Sequence, residues 1–196
     1  MPITVETLTD KQLEQVLSHT EGHFLDLKAK AIRPAKLTKA ISAFANADGG
    51  ELYVGICEQI TLPFPHKWDG FQKPEDANAH IQVFEQLFPL GEDYQYAFLS
   101  HPKQTGLVLQ VAIKKTKAIV KASDGIPYLR RGAQSLPIDT SAKLTVLERN
   151  KGITSFENET VPVSLETISN SETIIRFILE VVPTSDGVGP WVETSS

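Results

Sequence analysis

Ile41-Ser42-Ala43-Phe44-Ala45-Asn46-Ala47-Asp48-Gly49-Gly50-Glu51-Leu52-Tyr53-Val54-Gly55-Ile56 changes its hydrophobic period midway, and that change decides the fold class. Upstream of the turn, Pro34 suits a first helical turn, and Leu37, Ile41 and Phe44 follow at helical spacing, which predicts a helix ending near Asn46. Asp48-Gly49-Gly50 reads as a tight turn. Glu51 to Ile56 is rich in β-branched and aromatic residues and reads as a largely buried strand.

Working outward, Thr7 or Thr9 with Asp10 can cap a first helix running to about Ser18, with Leu13, Val16 and Leu17 as its apolar stripe. His23 to Lys28 alternates with a period near two, a strand that would turn Phe24, Leu25 and Leu27 toward the core. Thr61 to Pro74 holds three prolines with Phe64 and Trp68 and reads as a loop packed over the body. Asp76 can cap a helix carrying Ile81, Val83, Phe84, Leu87 and Phe88. Tyr94–Ser100 and Leu107–Ile113 are two strands separated by the Pro102 to Gly106 loop, most simply paired antiparallel. Ile119–Ala122 and Gly125–Arg131 read as short strands, and Leu144–Asn150 as a short helix. The expected fold is α/β (α+β): a mixed, largely antiparallel sheet with flanking helices over residues 1–150.

Residues 151–196 read as an acidic extension. Its apolar run, Glu172 to Val182, is a helix or a strand, since periodicity does not separate the two. We expect this run to complete a core or to form an interface with a second copy or a partner protein; the tail from Ser185 reads as flexible.

The chain has 196 residues, 41% hydrophobic and 22% charged, near the values of an ordinary globular protein, which excludes wholesale disorder. Its apolar runs are too short to span a bilayer. Met1 to Glu6 has neither the basic nor the apolar part of an export signal, so the expected location is cytoplasmic, with no membrane association. Cys57, the only cysteine, can form no intrachain disulfide and no Cys-based zinc site within one subunit.

The net charge of −5 argues against indiscriminate coating of polyanions. Residues 148–196 carry eight acids and three bases, so the remainder is neutral overall. Within it, Leu27 to Ala47 holds Lys28, Lys30, Arg33, Lys36 and Lys39 without an acid, and Lys103 to Arg131 holds seven bases, including Lys114, Lys115, Lys117, Arg130 and Arg131, against Asp124 alone. Brought onto one face, these stretches would hold phosphates; otherwise they are solvated surface lysines.

Glu21 and Asp26 flank or lie on the first strand, followed by Lys28. Five extended residues span about 17 Å, at ~3.3 Å per residue, so Glu21 and Asp26 converge only if Glu21 folds back. Asp26 and Lys28, two positions apart, share a strand face and can pair. Glu58, at the end of the next strand, would join them if the strands are adjacent. Three such acids would repel one another unless a cation offsets them, and Mg²⁺ or Mn²⁺ suits hard oxygen ligands and can activate water against a phosphodiester, with Lys28 beside it. The plainer alternative leaves Glu21 as a surface acid, Asp26 paired with Lys28 and Glu58 solvated. The Asp48-Gly49-Gly50 turn lacks the Lys-Ser/Thr of a P-loop. The five histidines show no zinc spacing, and Cys57 reads as a small buried residue. Tyr128-Leu129-Arg130-Arg131-Gly132 sets two guanidinium groups at a strand end, for phosphate or for Asp139 and Glu148.

Taken in order, Glu21-x4-Asp26-Leu27-Lys28, the Ile41 to Ile56 segment and Gly125-Ile126-Pro127-Tyr128-Leu129-Arg130-Arg131-Gly132 resemble the Schlafen-type AlbA-like domain, over about residues 18 to 150. The resemblance implies an α/β domain in a family tied to nucleic acid, some of whose members are metal-dependent endoribonucleases that cut structured RNA such as transfer RNA with three carboxylates. Carried over, those acids fall on Glu21, Asp26 and, nearest the strand end, Glu58, with Mg²⁺ or Mn²⁺ as cofactor and RNA favoured over DNA. Asp26 stands where the family pattern usually has Glu, and Cys57 takes part of a strand-end pair that is often acidic. Many bacterial relatives are described only as DNA-binding or regulatory domains, so the resemblance equally implies a non-catalytic nucleic-acid-binding or oligomerisation module of a regulatory or phage-defence system.

Overall fold

The first helix starts where a side chain can satisfy its free N–H groups. Thr9 Oγ1 accepts from the Gln12 N–H, and the Gln12 side chain accepts from the Thr9 N–H in return. The computed structural model describes residues 3–59, 63–87, 93–153, 164, 166, 167 and 170–181, with side chains in the last stretch through 176. Along the chain the elements are β1 (Val5–Thr7), α1 (Asp10–Ser18), β2 (Leu25–Lys28), α2 (Pro34–Asn46), β3 (Gly50–Val54), β4 (Ile56–Glu58), β5 (His66–Trp68), α3 (Asn78–Gln86), β6 (Tyr94–Ser100), β7 (Val108–Ile113), β8 (Tyr128–Arg131), β9 (Gln134–Pro137), α4 (Ser141–Asn150) and α5 (Glu172–Val181). The chain divides into two units, Met1–Ser155 and Phe156–Ser196.

In the first unit, five strands form a mixed sheet in the order β1-β6-β7-β3-β2. The outer pairs β1–β6 and β2–β3 are parallel, and the inner pairs β6–β7 and β7–β3 are antiparallel. On one face Leu37, Ile41 and Phe44 of α2 and Phe84 of α3 pack on Leu52, Val54, Phe98, Leu109 and Val111. On the other, Leu13, Val16 and Leu17 of α1 meet Leu27, Tyr53, Leu99 and Val108, together with Ile56 and Trp68 from a separate β4–β5 hairpin.

The decisive segment folds as its pattern implies. Gly50 has φ +155°, and a Cβ there would lie 2.5 Å from the Phe44 ring and 2.8 Å from the Phe24 carbonyl oxygen, so the α2–β3 turn closes only on glycine. Gly55, at φ +110°, ends β3 and redirects the chain into β4. Two polar residues of α2 explain the motif's Ser and Asn. Ser42 Oγ donates to the Val120 carbonyl and accepts from the Tyr128 N–H. Asn46 donates to the Val120 and Tyr128 carbonyls and accepts from the Val120 N–H, so a buried amide stitches α2 to residue 120 and to β8.

Several expectations are corrected. Phe24 is 60% exposed, because β2 begins only at Leu25. The Thr61 to Pro74 stretch contains a strand, β5, paired with β4. Ile119–Ala122 forms no ladder, only a single bridge from Lys121 to Pro127. β1 and β9 are additional strands. In the second unit, the apolar run is helical as α5, and the N–H groups of Ile174 and Ile175 both donate to the Ser171 carbonyl. Thr61, Phe88, Val182 and the tail from Ser185 lie outside the described residues.

Candidate functional site

β2 is an edge strand, and its exposed edge is closed by side chains rather than by another strand. Glu21 folds back as convergence requires: its Oε1 accepts from the Leu27 N–H at 2.9 Å and from Lys28 Nζ at 3.1 Å. Lys28 Nζ also donates to Asp26 Oδ1 at 2.7 Å and to the Leu27 carbonyl at 3.0 Å. An ammonium has three N–H donors, and all three of this one are spent on Glu21, Asp26 and Leu27.

Behind Asp26 stands Arg130, delivered by β8. Its Nε and Nη2 donate to the Gly22 carbonyl and Nη2 also to the Leu25 carbonyl; Nη2 lies 3.4 Å from Asp26 Oδ1, and the guanidinium stacks 4.7 Å from the centre of the Phe44 ring. Arg130 is 2% exposed. It therefore ties β8, β2 and α2 together and does not face solvent to meet a phosphate. The expectation that it joins Arg131 in phosphate contact is corrected: the carbonyls of the β2 approach claim its donors.

Two carboxylates sharing one lysine divide their proton affinity. Burial pushes Asp26 up, against the pull of Lys28 and Arg130. Burial also opposes ionisation of Glu21, but hydrogen bonds from Asp26, the Leu27 N–H and Lys28 outweigh it and hold Glu21 below its ordinary value. The two carboxyl groups are therefore shifted in opposite directions, Asp26 upward and Glu21 downward.

Glu58 is exposed at the end of β4 and lines, with Glu21, Lys28, Cys57 and His66, a cleft of about 290 Å³. His66 is a functional candidate that sequence spacing misses, because its partner lies across a hairpin. It pairs in register with Glu58, and cross-strand partners share a sheet face. Its Nδ1 lies 3.3 Å from the Leu17 carbonyl, which can only accept, so Nδ1–H is the donor in that contact. Burial raises the Cys57 thiol, which disfavours a nucleophilic thiolate there.

The basic residues divide into held and free. Lys30 pairs with Asp69 at 2.8 Å, Lys39 with Asp124 at 3.2 Å and Lys115 with Asp48 at 3.3 Å. Arg33, Lys36, Lys114, Lys117 and Arg131 are exposed, and among the described residues none of them has an ion-pair partner.

A model of the Schlafen, AlbA_2 family matches residues 21–139. The chain belongs to that family. The match spans the Glu21–Asp26–Lys28 group, the α2–β3 motif and Arg130. Among solved structures, the DIP2311 protein from Corynebacterium diphtheriae is 15% identical with a TM-score of 0.48, over 70% of this chain and 31% of that one. The N-terminal domain of a RecG-related protein from Nitrosomonas europaea is 17% identical with a TM-score of 0.48, over 64% of this chain and 88% of that one. No curated protein matches. Membership in the Schlafen AlbA_2 family ties the chain to nucleic-acid-related function, and no helix among the described residues is long and apolar enough to cross a membrane.

The metal implied by the Schlafen nucleases does not fit this donor set as placed. The Lys28 ammonium takes the position between Glu21 and Asp26 that a cation would need. Among the described residues, no three His, Cys, Asp or Glu side chains stand close enough to ligate one ion. Glu21 and Glu58 line one cleft, but Asp26 is turned into the Lys28–Arg130 pairing.

Proposed function

We propose that this chain is a nucleic-acid-binding module, with RNA favoured over DNA, and that its Glu21–Asp26–Lys28–Arg130 network is scaffold for the binding surface. The carrying observation is the division of its bases. The cations nearest the carboxylates are consumed by internal hydrogen bonds, while Arg33, Lys36, Lys114, Lys117 and Arg131 are exposed and, among the described residues, have no ion-pair partner, on a chain that is acidic overall. RNA is preferred because some members of the family cut structured RNA. Titration of labelled single-stranded RNA, transfer RNA and duplex DNA at several salt concentrations tests the reading. Affinity should fall steeply with salt, and salt-independent or absent binding would reject it.

A second reading, phosphodiester cleavage by Glu21, Asp26 and Glu58 with Lys28, draws support from the shared cleft of Glu21, Lys28, Glu58 and His66. Incubating transfer RNA with the wild type, Glu21→Ala and Asp26→Ala in the presence of Mn²⁺ decides it, since cleavage undiminished in both variants removes these acids from any reaction. For α5, whose Ile175 is 46% exposed, the role we assign is contact with a second copy or a protein partner. Sedimentation of the full chain and of Ile175→Asp tests self-association.

A further inference from the structure

His23, Asp48, Lys115, Arg131, Asn150 and Lys151 line a concavity of about 400 Å³. We propose that this concavity is a discrete phosphate-binding site. As a place for a nucleic-acid phosphate it rests on the binding reading above; as a phosphate site it does not.

The charges carry the inference. Lys151 Nζ forms the floor, donating to the carbonyls of Ala45, Thr116 and Ala118 and to Thr116 Oγ1, so its charge is fixed in place at the ends of α2 and α4. Burial and the nearby Lys115 ammonium push Lys151 down to about 8, against the opposing pull of the Asp93 carboxylate. Arg131 adds a third cation, exposed and without an ion-pair partner among the described residues. Among the described residues Asp48 is the one acid lining the concavity, and it is already divided between His23 Nε2 at 3.1 Å and Lys115 Nζ at 3.3 Å. Arg130 also lines the concavity, but its guanidinium is committed to Gly22, Leu25 and Asp26.

Three cations against the shared Asp48 carboxylate, with Asp93 as a further acid acting on Lys151, leave a positive excess in a walled space, and that excess selects an anion. A phosphate suits it better than a carboxylate. The Arg131 fork can engage two phosphate oxygens, leaving others for Lys115 and the Asn150 amide. The backbone of Arg131 is held, because its neighbour Arg130 is anchored and the β8–β9 hairpin sets it opposite Gln134.

The test uses the full chain, with inorganic phosphate and labelled single-stranded RNA as separate probes, and compares the wild type with Arg131→Gln, Lys115→Gln and the control Lys103→Gln, whose lysine pairs with Asp10 outside the concavity. We expect Arg131→Gln and Lys115→Gln each to weaken RNA about tenfold, to reduce the salt slope by about one and to abolish the phosphate response, with Lys103→Gln unchanged. Salt-sensitive RNA binding that is the same in all four proteins would overturn the phosphate site and leave the binding reading standing. Phosphate binding lost in the two variants, from a wild type that ignores RNA and DNA, would establish the site and reject that reading. Absence of any phosphate response in the wild type, with RNA affinity insensitive to both variants, also overturns the site.

Discussion

Arg130 Nη2 stands 3.4 Å from Asp26 Oδ1, and both residues are 2% exposed. This buried pair joins a hairpin late in the chain to the edge strand near its start, and its value depends on staying complete. Replacing Arg130 with Met strips the Gly22 and Leu25 carbonyls of their donor and leaves Asp26 with Lys28 alone. We expect a loss of about 3–5 kcal/mol in urea unfolding of Arg130→Met. Asp26→Asn, which keeps a side-chain oxygen for both cations, should cost clearly less.

Asn46 satisfies three buried backbone groups with one side chain. Asn46→Leu keeps the volume but leaves the Val120 N–H and the Tyr128 carbonyl without that partner. A cost of about 2–4 kcal/mol follows from the desolvation of unpaired buried groups. Ser42→Ala removes one donor and one acceptor and should cost about half as much, read by the same unfolding curves.

Gly50 leaves no space for a methyl group. Gly50→Ala must displace the Phe44 ring, which also supports Arg130. Overpacking at a left-handed backbone position predicts a loss of about 2–5 kcal/mol, measurable as a fall in Tm. Leu52→Met, a swap of similar volume in the same core, is the control and should cost little.

How much of this was legible in the sequence depended on whether the determining contacts are local. The helices from Asp10 and Pro34 and the β6–β7 hairpin follow from periodicity and caps, which a short window contains, whereas the helix that the sequence places at Leu144–Asn150 begins at Ser141, capped by Thr140. β1 escaped because Val5–Thr7 is a three-residue edge strand exposed throughout, with no buried side to imprint alternation. β5 was hidden among prolines, since its register comes from β4 and not from its own pattern. The pairing of Asp26 with Lys28 is a two-residue strand relation and was readable. The burial of Arg130 was not, because its acceptors Gly22 and Leu25 lie more than a hundred residues away. His66 was unreadable for the same reason, its partner Glu58 being set by a hairpin.

Asp48 gives a pH signature. A hydrogen bond from His23, followed by Lys115, holds its carboxyl below the ordinary value of 3.8. A lowered folded-state value contributes stability that is present above the unfolded value and disappears as pH falls through the folded one. Wild type should therefore exceed Asp48→Asn in stability at about pH 6 and lose that advantage below about pH 4, with the gap reduced by added salt. Because Asp48 competes with an anion for Lys115, the same variant should bind inorganic phosphate more tightly than the wild type.

The Glu58–His66 pair separates a binding surface from a reaction centre. Glu58 is exposed, lies in a cleft already lined by Glu21, and would repel a phosphate passing along it. If the chain only binds RNA, removing that charge helps. Glu58→Gln should tighten RNA binding about twofold at low salt, and the gain should vanish as the Debye length shrinks at higher salt. His66→Gln keeps a side chain able to bond the Leu17 carbonyl, so its RNA affinity should match the wild type. A cleaving centre predicts the opposite pattern, because both groups would be needed for proton transfer and their loss would show in product formation with little change in binding. Measuring affinity and cleavage on the same two variants therefore distinguishes the readings through different observables, and a loss of affinity in His66→Gln with its fold intact would contradict both.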